Sequence, residues 1–253
     1  MKITFLGTGT SQGVPLIGCD CAVCTSPDPQ DNRLRTSVWI ETPEASIVID
    51  TGPDFRYQML RANVRKLDAI IFTHGHKDHV AGLDDVRAYN YFQQKPMEIY
   101  ANEHTQEIIH REFEYVFNNK FYPGIPQLSI NTIDFEPFNI NGLEIIPIKV
   151  MHYKLEVLAF RIGDFTYVTD ANQIKPEEID KIKGSKLLVL NALRHEQHIS
   201  HFTLAEAIDM ATAIGAEQTY FTHISHQMGL HLEIDSHLPP GINLAYDGLS
   251  KKL

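Results

Sequence analysis

Short apolar runs recur along the chain, each closed by a polar or glycine-bearing turn, and stretches of helical spacing lie between them. This is the pattern of an α/β protein whose strands are buried on at least one face. Lys2 to Leu6, Arg35 to Glu41, Ala45 to Asp50, Leu67 to Phe72 and Met97 to Ala101 read as strands. Helices are predicted over Phe55 to Ala62, Val80 to Phe92 and Glu103 to Arg111. From Leu128 to Lys149 strand and turn alternate, with Asn141-Gly142 as a hairpin signal because both residues tolerate positive φ. Val157 to Ile162 and Thr166 to Thr169 form a second hairpin, turning at Gly163-Asp164. Leu187 to Leu190 and Gln218 to Thr222 are then buried strands. Between these two, Thr203-Leu204-Ala205-Glu206 has the form of a capping box. Leu204, Ala207, Ile208, Ala211 and Ile214 keep one helical face, and Gly215 suits its end.

No repeat, linker or low-complexity run interrupts this pattern, so residues 1–253 are expected to form one domain. Composition adds little to that: 43% hydrophobic and 21% charged residues are ordinary for a globular chain. The formal charge of −10 matters more. It argues against long nucleic acid as a partner, which would call for a basic stripe. No apolar stretch approaches the roughly 20 residues that cross a bilayer. Met1 to Gly7 also lacks the apolar core of a signal peptide, so a cytoplasmic location without membrane contact is expected.

The candidate chemistry starts where the strand ending at Phe72 releases Thr73-His74-Gly75-His76-Lys77-Asp78-His79. The spacing differs from the i, i+4 histidine pair of a helical metal site. Such a set converges only from a reversing loop, and Gly75 is expected to supply the freedom to turn. Imidazole and carboxylate together suit zinc, manganese or iron, and four donors on one loop can begin two metal sites. Asp50, also at a strand end, either orients a metal-bound histidine or closes a turn on its own backbone. All three cysteines, Cys19, Cys21 and Cys24, lie on one loop spanning about residues 13–33. An odd count in a reducing compartment does not pair fully, and the spacing supplies most of a structural zinc site. The flanking Ser26 to Asn32 has no core of its own, so a metal would order it. Phe113 to Pro126 is rich in aromatics and reads as core, lid or the face of a homodimer.

The H-x-H-x-D-H run resembles the signature of the metallo-β-lactamase fold, and the resemblance extends along the whole chain. It implies an α/β fold of the αββα four-layer sandwich type, with a two-metal hydrolytic site at one edge. On that pattern His74, His76 and His152 hold the first metal, and Asp78, His79 and His223 the second. Asp170 is the candidate bridge, since one carboxylate can hold two cations about 3.5–4 Å apart around a shared hydroxide. Asp50 takes the histidine-orienting role. His226, three residues after His223, is the proposed fourth ligand of the structural zinc. His201 lies two residues before a helix N-cap, where unpaired N–H groups favour an anion, and is assigned to substrate contact or general-acid work. His195 and His198 read as exposed loop histidines, and His104, His110, Asp84 and Asp85 as exposed or structural. His231 and His237 take no role, and Asp247 either packs beside the site or belongs to a turn.

Within the superfamily, the chain is similar to the carbon–phosphorus-lyase-associated, PhnP-like cyclic phosphodiesterases in Gly7-Thr8-Gly9, Gln12-Gly13-Val14-Pro15, the cysteine loop, His226 and Tyr246-Asp247-Gly248. The resemblance implies a phosphodiesterase of small, cyclic substrates that uses a hydroxide shared by two divalent metals (zinc, manganese or iron), with Asp78 and His201 at the reaction centre. Ser200-His201-Phe202-Thr203 is also similar to ribonuclease Z, an RNA 3′-processing endonuclease, but no Lys/Arg-rich arm is present. A zinc-stabilised interaction protein without activity is the third reading.

Overall fold

The structure, a computed structural model, describes residues 1–118 and 124–253. Among these, fifteen strands form two sheets. The first holds β1 (Lys2–Gly7), β2 (Ser37–Glu41), β3 (Ser46–Ile49), β4 (Ala69–Ile71), β5 (Met97–Ala101) and β6 (Leu128–Thr132). The second holds β7 (Phe138–Ile140), β8 (Leu143–His152), β9 (Leu155–Ile162), β10 (Phe165–Tyr167), β11 (Gln173–Ile174), β12 (Leu187–Asn191), β13 (Gln218–Thr222) and β14 (Ile242–Leu244). A last strand, β15 (Ser250–Lys252), returns to the first sheet, whose order is β15-β1-β2-β3-β4-β5-β6. The second sheet runs β11-β8-β9-β10-β12-β13-β14, with β7 beside β8.

Helices α1 (Phe55–Arg61), α2 (Lys77–Val80), α3 (Arg87–Gln93), α4 (Glu103–Glu112) and α5 (Glu114–Asn118) follow strands of the first sheet. The second sheet is followed by α6 (Pro176–Ile182), α7 (Leu204–Ile214) and α8 (His231–Asp235). Three apolar clusters show the layering. Ile3, Phe5, Ile40 and Ile47 meet Phe160, Phe165, Tyr167 and Val189 between the sheets. Phe55, Met59, Val86 and Ile109 pack on the outer face of the first sheet, against Leu6, Val48 and Ile70. Leu204, Ala207, Ala211 and Ile214 cover the outer face of the second, against Leu188, Leu190 and Phe221. This is the αββα sandwich expected from the sequence. No helix among the described residues is long and apolar enough to cross a membrane.

The capping box at Thr203 and Glu206 is formed, and Gly215 ends α7 in the left-handed region. The Asn141-Gly142 hairpin takes positive φ at both residues. The predicted helix from Val80 to Phe92 is instead three pieces: α2, a 3₁₀ turn at Leu83–Val86, and α3. The break falls at Gly82, where the Gly52 carbonyl lies 2.2 Å from the place a Cβ would take. Of the aromatic segment, Phe113 and Val116 belong to the core and Tyr115 is exposed, while Phe121 and Tyr122 lie outside the described residues.

In both sheets one side runs parallel: β3 to β6 in one, and β10, β12, β13 and β14 in the other. Asp50, Thr73, Asp170 and His223 therefore follow the carboxyl ends of parallel strands β3, β4, β10 and β13. Open α/β sheets place their ligand sites there.

Candidate metal centre

The Thr73–His79 loop leaves β4 and closes into the single turn of α2, with His76 as its extended N-cap. Gly75 does not take the left-handed conformation expected of it. A Cβ there would meet the Ile108 side chain of α4, whose Cδ1 stands 2.4 Å from that place. Gly52 is crowded too, one layer away, with the Asp78 carbonyl 2.1 Å from its missing Cβ. The loop thus sits between the Ile108 side chain of α4 and the backbone of the Asp50 turn.

His74 Nε2 and His76 Nδ1 face each other at 3.0 Å, and His152 completes this group from the end of β8. His74 Nδ1 lies 3.0 Å from the Thr73 hydroxyl, and His152 Nδ1 lies 2.9 Å from the Ser200 carbonyl, so each presents its other nitrogen to the group. Asp78, His79, Asp170 and His223 form a second group. His79 Nε2 is 3.2 Å from Asp78 Oδ2 and 3.3 Å from Asp170 Oδ2, and His223 Nε2 is 3.2 Å from Asp170 Oδ1. Asp170 also joins His152 and His201 in a third convergent set, with His201 Nδ1 at 3.8 Å. The carboxylate thus stands between the two halves of the cluster.

Asp50 is buried, accepts the Thr73 N–H at 2.9 Å and the Thr73 hydroxyl at 2.8 Å, and lies 2.7 Å from His79 Nδ1. This fixes the His79 ring with Nε2 inward. Ala171, next to Asp170, is clamped by both arms of the Asn191 amide at 2.8 and 2.9 Å. Asp50, Asp170 and His223 all take left-handed backbone conformations, with φ of 64°, 55° and 57°. Each such residue costs on the order of 1–3 kcal/mol and persists where its surroundings over-determine it.

Burial pushes the Asp170 carboxyl up, but His223 and His79 outweigh it and hold it well below the usual carboxylate range. Burial, reinforced by His79, pushes His74 well below its ordinary value. Burial together with His223 takes His201 down to about 3. Among the described residues, buried His79 Nε2, His201 Nδ1 and both His223 nitrogens lack hydrogen-bond partners. Unpartnered, inward-facing imidazoles beside two carboxylates fit divalent cations.

Cys19, Cys21, Cys24 and His226 converge in a separate, half-buried cluster. His226 Nδ1 lies 3.4 Å from both Cys19 Sγ and Cys21 Sγ. The Leu16 N–H donates to Cys24 Sγ and the Cys24 N–H to Cys21 Sγ. The Cys24 amide and His226 lower the Cys21 thiol to about 6, while burial raises Cys24 to about 11. Four soft donors at these distances fit one zinc ion.

His195, His198, His104, His110 and His237 are exposed. The His198 ring nevertheless lies 5.1 Å from His201 at the edge of the centre. Asp84 pairs with Arg87 and Asp85 is half-buried in the 3₁₀ turn, both away from the cluster. Asp247 is more than a turn residue: its side chain is 5% exposed and accepts from Thr8, the Leu34 N–H and Arg61. Sequence reasoning missed Arg33 and His231, a buried pair 3.0 Å apart, since nothing in their local pattern marks them as partners.

Residues 45–224 match the family described as the β-lactamase superfamily domain. The crystal structure of a new diphosphatase from the PhnP family superposes with a TM-score of 0.93 at 42% identity, over 99% of this chain and 96% of that one. An octanoyltransferase of Porphyromonas gingivalis is 41% identical over 252 residues, 98% of this chain and 51% of its own length. A ribonuclease Z of Limosilactobacillus reuteri is 28% identical over 169 residues, 65% of this chain and 49% of its own. The chain spans about half the length of these curated relatives. Zn(2+)-bound PqqB from Methylobacterium extorquens, at 17% identity and a TM-score of 0.78 over the full length of both chains, shares the fold.

Proposed function

The chain belongs to the β-lactamase superfamily, in its PhnP-like branch, and on that premise we propose that it hydrolyses small, cyclic phosphodiesters at a two-cation centre. That it is a metal-dependent phosphoester hydrolase follows from the family and the histidine–aspartate cluster. The observation that carries the finer reading is Asp170, which shares one convergent group with Asp78, His79 and His223 and another with His152 and His201.

His74, His76 and His152 would hold one cation, and Asp78, His79 and His223 the other, with Asp170 between them. Two divalent cations there would make water a nucleophile near neutral pH and neutralise charge on the phosphoryl oxygens. Asp50 keeps His79 in the tautomer that presents Nε2. His201, buried against Asp170 and His152 and held in its neutral form, would steady the leaving oxygen through a ring N–H. Cys19, Cys21, Cys24 and His226 would hold a third ion, zinc, whose task is to order residues 13–33. The whole chain, residues 1–253, acts as one domain in this reading, and a homodimer remains compatible with it.

The small substrate follows from charge. At −10, the surface suits a compact anion held by cations better than a long polyanion. Octanoyl transfer is the named activity of a protein about twice this length, and a histidine–aspartate centre argues for hydrolysis rather than acyl transfer. The test compares metal-replete and chelator-stripped protein on a 2′,3′-cyclic nucleotide, a ribose cyclic phosphate, precursor tRNA and a thioester. Metal-dependent turnover of a cyclic phosphate is expected. Equal rates after stripping, or a preference for precursor tRNA or the thioester, would overturn the reading.

A further inference from the structure

His223 differs from His74, His79 and His152 in what aims it. His74 has the Thr73 hydroxyl, His79 has Asp50 and His152 has the Ser200 carbonyl, but neither His223 nitrogen has a hydrogen-bond partner among the described residues. Beyond its approach to Asp170 and its stacking on His201, the ring is aimed by its backbone, which is left-handed, with φ of 57°. Two segments pinch it from either side. The Ile224 N–H donates to the Thr8 carbonyl at 2.9 Å and the Thr10 N–H returns to the Ile224 carbonyl at 3.1 Å. On the other side the Ala245 N–H donates to the Phe221 carbonyl at 2.8 Å.

Both segments are tied to one side chain. Arg33 is buried, and its Nη1 donates to the Thr8 hydroxyl at 2.9 Å and to the Ala245 carbonyl at 2.6 Å. Its Nη2 lies 3.0 Å from His231 Nδ1. Asp247 accepts the Thr8 hydroxyl proton at 2.8 Å, so Thr8 is held from both ends. Arg33 is also the last residue of the cysteine loop, paired with Val14 through both backbone groups at 2.7 and 2.8 Å. Asp31 on that loop accepts the His231 N–H at 2.7 Å. A buried, hydrogen-bonded fork of this kind is rigid in a way that a lysine cannot reproduce.

We infer that Arg33 is a positioning residue for His223: it clamps the Thr8 and Ala245 segments around the exit of β13, and so links the order of the cysteine loop to retention of the second catalytic cation. This rests on the two-cation reading above. It requires the cysteine cluster and the catalytic centre, joined through His223 to His226, to be energetically coupled, and the coupling is reciprocal.

The test uses the full chain loaded with manganese at the catalytic centre. Metal content is measured against graded chelator, with Tm and cysteine-site zinc followed in parallel. Arg33→Lys keeps a cation and loses the fork. It is expected to release one of its two catalytic ions at about ten-fold lower chelator, the lower end for residues that orient a ligand, and to retain the other normally. Added manganese should restore kcat, with KM for substrate unchanged. Thr8→Val removes one arm only, and is expected to show the same shift, smaller, even where Arg33→Lys accumulates poorly. If both ions leave the variants at wild-type chelator concentrations, Arg33 is a packing group and the inference is overturned. If wild-type protein binds one catalytic ion, the two-cation reading fails first, at the wild-type measurement.

Discussion

The histidine–aspartate centre draws its members from residues 74 to 223 and from both sheets, whereas the cysteine cluster takes three of its four members from a single loop. The first group is buried for the most part, uses strained backbone at three positions and leaves imidazole nitrogens without protein partners. The second is half-exposed, and its thiols already receive backbone N–H groups. One is therefore a product of the finished fold, and the other helps to finish a segment that cannot order itself. Chemistry should depend on the first and local stability on the second, with His223 and His226 the short bridge between them.

Substitutions at each region sharpen that contrast. Asp170→Ala, which removes the carboxylate common to both halves of the centre, should lower kcat by at least about a thousand-fold in a steady-state assay, as loss of a key charge-stabilising group does. Its Tm should fall as well, because alanine tolerates the left-handed backbone at residue 170 less well than aspartate, whereas Asp170→Asn should lose comparable turnover at nearly unchanged Tm. A variant that kept a tenth of wild-type turnover would place the reaction elsewhere. His201→Ala should act through the leaving group: a loss of roughly a hundred-fold or more on an alkyl ester and far less on an activated p-nitrophenyl ester. Equal losses on both esters would remove it from contact with the leaving oxygen. Cys19→Ser should have the smallest kinetic effect. Zinc content and Tm should fall, and turnover should return when divalent metal is supplied in excess. Loss of turnover at unchanged Tm and zinc content would erase the distinction between the regions.

Local signals were read well from sequence because local physics decides them. The capping box at Thr203, the hairpin at Asn141-Gly142 and the strand Met97–Ala101 each carry their determinants within a few residues. Val80 to Phe92 failed because its break depends on Gly52, thirty residues earlier by Gly82's number, whose carbonyl occupies the space over Gly82. Gly75 lacks the positive φ that its place in a reversing loop suggests, and what lies over it is the Ile108 side chain of a later helix, a contact no local pattern announces. Strand β15 is Ser250-Lys251-Lys252, a polar edge without apolar alternation, and left no periodic trace. Within the centre, the Thr73–His79 loop was visible from composition alone. Lone residues such as His152 and Asp170 became candidates only through resemblance, since a single histidine or aspartate at a strand end has many other uses. Arg33 had no signal at all: its partners Thr8, His231 and Ala245 are scattered across the chain.

The left-handed backbone at Asp50, Asp170 and His223 also bears on how this protein can diversify. Aspartate, asparagine, histidine and glycine tolerate positive φ, while valine, isoleucine and threonine do not. Random mutagenesis at these three codons should therefore yield folded protein with only a narrow set of amino acids, whatever activity is selected. New specificities would have to arise from exposed loops around the cluster, such as residues 194–199, where backbone geometry leaves the alphabet open.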